Sequence, residues 1–160
     1  MGTGILGRQV TCFMLSLSIS EKNCSKMKKH VASVYPEEAC GLLAGKDGVI
    51  TAITPIANRL RSAHRYFMEP QALWVALMQM EAQKLEWLGI YHSHPQGPAT
   101  PSNIDRDEAV SPKMVYVIWT PAGTRFAQGN VLDEQLAIVW HARGFLINGE
   151  CVTEVELAGC

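Results

Sequence analysis

Trp87-Leu88-Gly89-Ile90-Tyr91-His92-Ser93-His94-Pro95-Gln96-Gly97-Pro98-Ala99-Thr100-Pro101-Ser102-Asn103-Ile104-Asp105-Arg106-Asp107 is the stretch that decides how this chain reads. An apolar run ends in two histidines, a Pro/Gly loop follows, and Ser102 then opens what reads as a helix. Along a strand, residues i and i+2 point to the same face, so His92 and His94 project side by side. Two imidazoles on one face, joined by a carboxylate from a nearby helix, make a three-ligand zinc set. Such a set leaves the fourth tetrahedral position to water, which marks a catalytic rather than a structural site. Asp105 is the carboxylate this spacing selects. Pro95, Pro98 and Pro101 each fix φ, so the connecting loop is shaped rather than floppy. Serine with an acid three residues on also resembles a capping box. The two readings are compatible: a first-turn aspartate can face a metal while Ser102 holds the helix start or the reacting group.

Outward from this stretch, the chain alternates strands and helices. A first strand carries Leu15, Leu17 and Ile19 in alternation. Ser20 is an N-cap, and Cys24, Met27, Val31 and Val34 recur at helical spacing up to Tyr35-Pro36, where the residue before proline leaves the helical region. Residues 38–45 form a short buried strand. Asp47-Gly48 turns it into a partner strand over 49–56. Residues 58–64 are a polar connection, and 65–68 a short strand. Glu69-Pro70 opens a second helix, with Leu73, Ala76, Leu77 and Met80 as its buried stripe. After the organising loop come a strand over 114–119, a turn at Pro121-Ala122-Gly123, a strand over 135–141, and a hairpin through Asn148-Gly149. The sum is an α/β (α+β) domain, a mixed and largely antiparallel sheet flanked by two or three helices.

Composition sets the class. The 160 residues suffice for one domain, and 48% hydrophobic against 18% charged residues supply a core and argue against disorder. A net charge of −1 gives no overall field for nucleic acid or an anionic membrane. Lys26-Met27-Lys28-Lys29-His30 reads as a solvated helix face. Five cysteines, widely spaced and without CxxC, point away from a disulfide framework and toward a reducing, cytoplasmic compartment. No apolar run approaches the roughly 18 residues of a spanning helix. Residues 1–13 read as an extension preceding a single domain over 14–160, with Met14 a second candidate start. The apolar run from Cys12 to Leu15 falls short of the roughly 7–15 residues of a signal-peptide core. His30, His64 and His141 lack partners at ligand spacing and are assigned to surface or interface positions. Cys40, in an apolar run, is assigned to the core.

His92-Ser93-His94-Pro95, then Ser102-x-x-Asp105, with an upstream Glu38-Ala39-Cys40-Gly41-Leu42-Leu43-x-Gly45, resembles the JAMM motif of the MPN-plus zinc metalloproteases over roughly residues 14–140. The resemblance implies an MPN-like fold, related to that of the cytidine deaminases. It implies one zinc ion held by His92, His94 and Asp105, with Glu38 as general base and Ser102 stabilising the tetrahedral intermediate. The implied reaction is hydrolysis of an amide or isopeptide bond after the C-terminal glycines of a ubiquitin-like or sulfur-carrier-like protein. Short segments between Ala57 and Pro70 and after His94 leave no room for the long insertions of eukaryotic deubiquitinating relatives, so a stand-alone prokaryotic type is expected. Homo-oligomerisation is left open.

Two rivals come from other classes. A non-catalytic MPN scaffold would lack the zinc ligands, whereas Glu38, His92, His94, Ser102 and Asp105 all stand here. A zinc nucleobase deaminase needs H-x-E and P-C-x-x-C, and the chain has neither.

Overall fold

A computed structural model describes residues 16–122 and 138–160. The extension expected over residues 1–13, Leu15, Gly123 and the start of the strand expected over 135–141 lie outside the described residues. Ten elements follow one another: β1 (Ser16–Ile19), α1 (Glu21–Val34), β2 (Cys40–Lys46), β3 (Val49–Ile56), α2 (Pro70–Ala82), β4 (Glu86–Ser93), α3 (Asn103–Asp107), β5 (Val115–Ala122), β6 (Val139–Asn148) and β7 (Cys151–Ala158). The strands close into a barrel in the order β1-β3-β2-β4-β5-β6-β7. Pairs β2/β3, β2/β4, β5/β6 and β6/β7 are antiparallel. Pairs β1/β3, β1/β7 and β4/β5 are parallel. The expected mixed sheet with three helices is therefore present, and its closure is an addition to that expectation.

Local chemistry explains most boundaries. The Ser20 hydroxyl accepts from Asn23 N at 3.3 Å and starts α1, a cap worth ~1 kcal/mol. The α1 stripe buries Met27 and Val31 completely, each worth ~1.5–3 kcal/mol of hydrophobic stabilisation. The hairpin from β2 to β3 turns on Asp47 and Gly48, at φ of +50° and +74°, the pair of positive angles that a tight turn of matching twist requires. In α2, Glu69 caps from its side chain to Ala72 N at 2.7 Å, with Pro70 in the first turn.

The core lies on both faces of the central strands. Leu43, Tyr91, Val117 and Trp119 join Met27 and Val31 of α1 on one side. Leu42, Ile90, Tyr116 and Ile118 join Ala76 and Met80 of α2 on the other. Successive strand residues face opposite ways, so β2 and β5 read as unbroken apolar runs because both their faces are covered.

Four expectations are corrected. Residues 65–68 form no strand; a lone bridge pairs Asn58 with Met68, because the Asn58 carboxamide takes the bonds a ladder would use. Pro121 lies inside β5, paired with Trp140; β4 has ended by then, and proline is tolerated where a strand has lost one neighbour. The strand expected over 135–141 and the first arm of the expected hairpin are one strand, β6, running through Gly144, and the second arm is β7. A Cβ there would lie 2.6 Å from the Leu157 side chain, so this glycine serves close packing and not a break. Finally, Cys24 and Cys160 form a disulfide across 136 residues of sequence, while Cys40 and Cys151 are free as expected. Barrel closure brings the end of β7 to β1 and α1, an approach that cysteine spacing does not encode. Cysteine usage therefore no longer argues for a reducing compartment. No helix of the described residues is long and apolar enough to cross a membrane.

Candidate metal centre

The centre forms where β4 runs out. His92 is the penultimate residue of β4 and fully buried, and His94 stands just past its end, also buried. The His94 N–H donates to the Trp119 carbonyl at 2.8 Å, so the β4/β5 pairing continues one residue past the strand and fixes both imidazoles. Their Nε2 atoms lie 3.0 Å apart. Asp105, in the first turn of α3, brings Oδ1 to 3.1 Å from His92 Nε2 and Oδ2 to 3.3 Å from His94 Nε2. The three side chains form a group whose donor atoms all lie within 4.8 Å of one another.

Glu38 reaches this centre through β2. Cys40 pairs with His92, and the Ser93 N–H donates to the Ala39 carbonyl at 3.0 Å. The Ser93 hydroxyl accepts the Ala39 N–H at 2.8 Å. Continuing this register places Glu38 opposite His94. Gly41 permits the approach: a Cβ there would lie 2.4 Å from the Tyr91 ring. Glu38 is 5% exposed, and with His94 and Ser102 it lines a cleft of about 280 Å³.

The protonation pattern suits a cation. The His94 Nδ1–H donates to the Pro98 carbonyl at 2.8 Å, which leaves Nε2 with a lone pair in the neutral ring. Burial lowers the pKa of His92 despite the opposing Asp105 carboxylate, so this ring is neutral. Burial pulls His94 down as well, but its bonds to Asp105 and Pro98 outweigh it and the net shift is upward. Burial would raise Asp105; hydrogen bonds from His92, His94 and Ser102 instead hold it well below the usual carboxylate range. In the metal-free site these rings meet Asp105 through Nε2–H; with those protons released, two imidazole nitrogens and a carboxylate converge with lone pairs inward. A tetrahedral cation with ligand distances of about 2.0–2.1 Å has donor separations of roughly 3.3–3.4 Å. The two Nε2 atoms are 3.0 Å apart and His92 Nε2 is 3.1 Å from Asp105 Oδ1, close to that figure, while His94 is met at 3.3 Å by the other carboxylate oxygen; with one donor atom from each residue within 4.8 Å of the others, the residues present fit such an ion.

Ser102 caps the helix and holds the Asp105 carboxylate. Its hydroxyl accepts from Asp105 N at 3.2 Å and donates to Asp105 Oδ2 at 2.7 Å, while its own N–H donates to the same oxygen at 2.7 Å. A capping box is therefore built on the carboxylate that faces the histidines. The Glu38 carboxyl is pushed up to about 7, first by burial and then by Asp105, against the opposing pull of His94.

Some contributors carry no motif. Tyr66 stacks on His92 with centroids 4.9 Å apart, beside a His92 Nδ1 that is buried without a partner. Asn58 donates to the Glu38 carbonyl at 3.1 Å. Ser93 was readable only as the residue between two histidines. His64, assigned to the surface, is exposed but stands at the cleft mouth. His30 bonds the Tyr91 hydroxyl at 2.8 Å, away from the centre. Cys40 is a core residue whose thiol burial pushes up to about 12, with Glu38 adding to the effect, so it stays unreactive at neutral pH.

Comparison with known proteins agrees with this geometry. The family model described as prokaryotic homologs of the JAB domain matches residues 20–131. A desampylase of Haloferax volcanii is 32% identical over 130 residues, covering 78% of this chain and 94% of that one. A CysO-cysteine peptidase of Mycobacterium tuberculosis is 31% identical over 116 residues, covering 71% and 78%. A solution structure of a protein from Desulfitobacterium hafniense superposes with a TM-score of 0.70 at 30% identity, covering 88% of this chain and 90% of that one. The chain belongs to the prokaryotic JAB-domain family, the stand-alone branch of the JAMM-type proteins.

Proposed function

We propose that this protein is a zinc-dependent peptidase or isopeptidase that hydrolyses the amide bond after the C-terminal glycines of a ubiquitin-like or sulfur-carrier-like protein. The observation that carries the reading is the convergence of His92, His94 and Asp105 within 4.8 Å, with the buried Glu38 on the adjoining cleft. The names of the relatives, a desampylase and a CysO-cysteine peptidase, support the substrate class.

When bound, zinc lowers the pKa of a coordinated water toward ~7 and polarises the scissile carbonyl. His92 Nε2, His94 Nε2 and one Asp105 oxygen hold the ion, and the bond from His94 to Pro98 keeps the ring oriented. Glu38, in its ionised form, takes the proton of the attacking water and passes it to the leaving amine. Burial raises its affinity for a proton in the metal-free site, and a cation beside it favours the ionised form this duty needs. Ser102 donates its hydroxyl hydrogen to the developing oxyanion, for which it turns away from Asp105.

The test is metal content by elemental analysis of the wild type and of His94→Ala. About one zinc per wild-type chain and none in the variant is the expected result for a three-ligand site. A wild type that refuses added zinc would leave the non-catalytic scaffold as the better reading.

A further inference from the structure

Arg59, Arg61, His64 and Arg65 fall within seven residues, in a chain whose 14 basic side chains are outnumbered by 15 acidic ones. All four are exposed. Arg65 pairs with Glu108, but among the described residues neither Arg59 nor Arg61 has a carboxylate within ion-pair distance. Between these two arginines in sequence stands Leu60, 47% exposed.

This segment is held in place. The Asn58 carboxamide accepts from Leu60 N and Phe67 N, each at 3.1 Å, and donates to the Arg65 carbonyl at 3.2 Å. Arg59 N donates to the Phe67 carbonyl at 2.8 Å. Arg61 sits at φ +47°, a left-handed conformation that a long side chain seldom adopts. The segment is also fastened to the reaction centre, since the Glu38 N–H donates to the Ser62 carbonyl at 2.8 Å. His64 and Arg65 line the cavity that Glu38, Ser102 and Asp105 share. A leucine flanked in sequence by two unpaired arginines, on a fixed loop whose continuation, His64 and Arg65, lines the cleft, has the make-up of a docking edge, with an apolar contact inside a charged rim.

We propose that residues 59–65 dock an acidic segment of the carrier protein, a few residues upstream of its glycine tail, and so select carriers by charge. The inference rests on the amide-hydrolase reading for the identity of its partner, but binding tests it without turnover.

The probes are three synthetic fluorescein-labelled peptides that end in Gly-Gly joined to a lysine side-chain amine. Their four preceding residues are acidic, neutral or basic. Fluorescence anisotropy is read on the intact wild-type chain. The acidic peptide is expected to bind at least ~10-fold more tightly than the basic one at low salt. That preference should shrink to within about twofold near 1 M salt, where screening acts over ~3 Å. Arg59→Glu with Arg61→Glu should invert the preference, a gain for the basic peptide that misfolding does not produce, while Arg59→Lys with Arg61→Lys should keep it. Equal binding of all three peptides, or an acidic preference that survives the double reversal, overturns the inference.

Cleavage by zinc-loaded wild type, followed by mass spectrometry, separates the two ideas. Cleavage without charge preference removes the docking edge and keeps the hydrolase. Acid-selective binding with no peptide cleaved does the reverse.

Discussion

Replacing Glu38 by glutamine should stabilise the metal-free protein, by an amount that grows as pH rises above about 4.5 and levels off above about 7. The native state holds the Glu38 carboxyl at about 7, against 4.5 for the ordinary side chain. The fold therefore binds this proton more tightly than the unfolded chain does. Below pH 4.5 both states carry it, and the carboxyl adds no penalty. As pH rises from 4.5 through 7 the unfolded chain ionises first, and the native state loses stability until its own carboxyl ionises. At ~1.36 kcal/mol per tenfold, the gap between 4.5 and about 7 sets an upper bound of ~3.4 kcal/mol. Water in the cleft screens the charge, so ~1–2 kcal/mol is the working figure. The assay is urea unfolding of wild type and Glu38→Gln with a chelator present, at pH 4.5 and at about pH 8. The two proteins should match at the lower pH, and the variant should be the more stable at the higher one. Added zinc should narrow the difference, because a cation beside Glu38 favours its ionised form. A variant equally or less stable at pH 8 would refute the claim that burial strains this carboxylate. The same substitution should abolish turnover while leaving zinc bound, which identifies the instability as one maintained for chemistry.

Ser102→Ala should lower kcat by ~10²–10³, as expected for the loss of one oxyanion donor, and should destabilise the fold by ~1 kcal/mol through the lost cap. A full kcat with only the stability loss would reduce Ser102 to a cap. Ser93→Ala leaves the buried Ala39 N–H without its side-chain acceptor, at ~1–3 kcal/mol; thermal melting should drop, and an unchanged melting temperature would mean the Ala39 link is not needed. Reducing the Cys24–Cys160 bridge, which spans 136 residues, should lower stability by up to ~5 kcal/mol. Melting with and without reductant decides this, and coincident curves would contradict it.

What the chain announces locally, the structure repeats. Val49–Ile56 begins and ends as a strand where the Asp47-Gly48 turn put a partner for residues 38–45. The α1 stripe and its serine cap are equally plain. What depends on distant partners was not readable. Strand β2 begins at Cys40 and not at residue 38, because the Glu38 N–H bonds the Ser62 carbonyl in the neighbouring loop. Barrel closure and the disulfide both need β7 to reach β1, and neither end of the chain carries a local mark of the other. Glu38 belongs to this class as well. Its distance from His92 in sequence gives no hint that register brings the two together, and only the resemblance of Glu38-Ala39-Cys40-Gly41-Leu42-Leu43 to a known motif had singled it out.

Asp105 shows why some of the site was legible. A carboxylate three residues after a serine is ordinary cap chemistry, and two histidines in alternation are ordinary strand chemistry. Together they constrain each other. Asp105 Oδ2 accepts from both Ser102 N and Ser102 Oγ, which leaves Oδ1 turned toward His92. Helix α3 is only five residues long and buries none of them, so it adds little to the core. Its capping box orients one carboxylate. The prolines before it hold the loop, and His94 uses the Pro98 carbonyl to fix its own ring. A helix too short to be stable alone is thus held from both ends by the residues it serves to position. The whole stretch from His92 to Asp107 reads as one device because local rules and site geometry make the same demands on the same atoms.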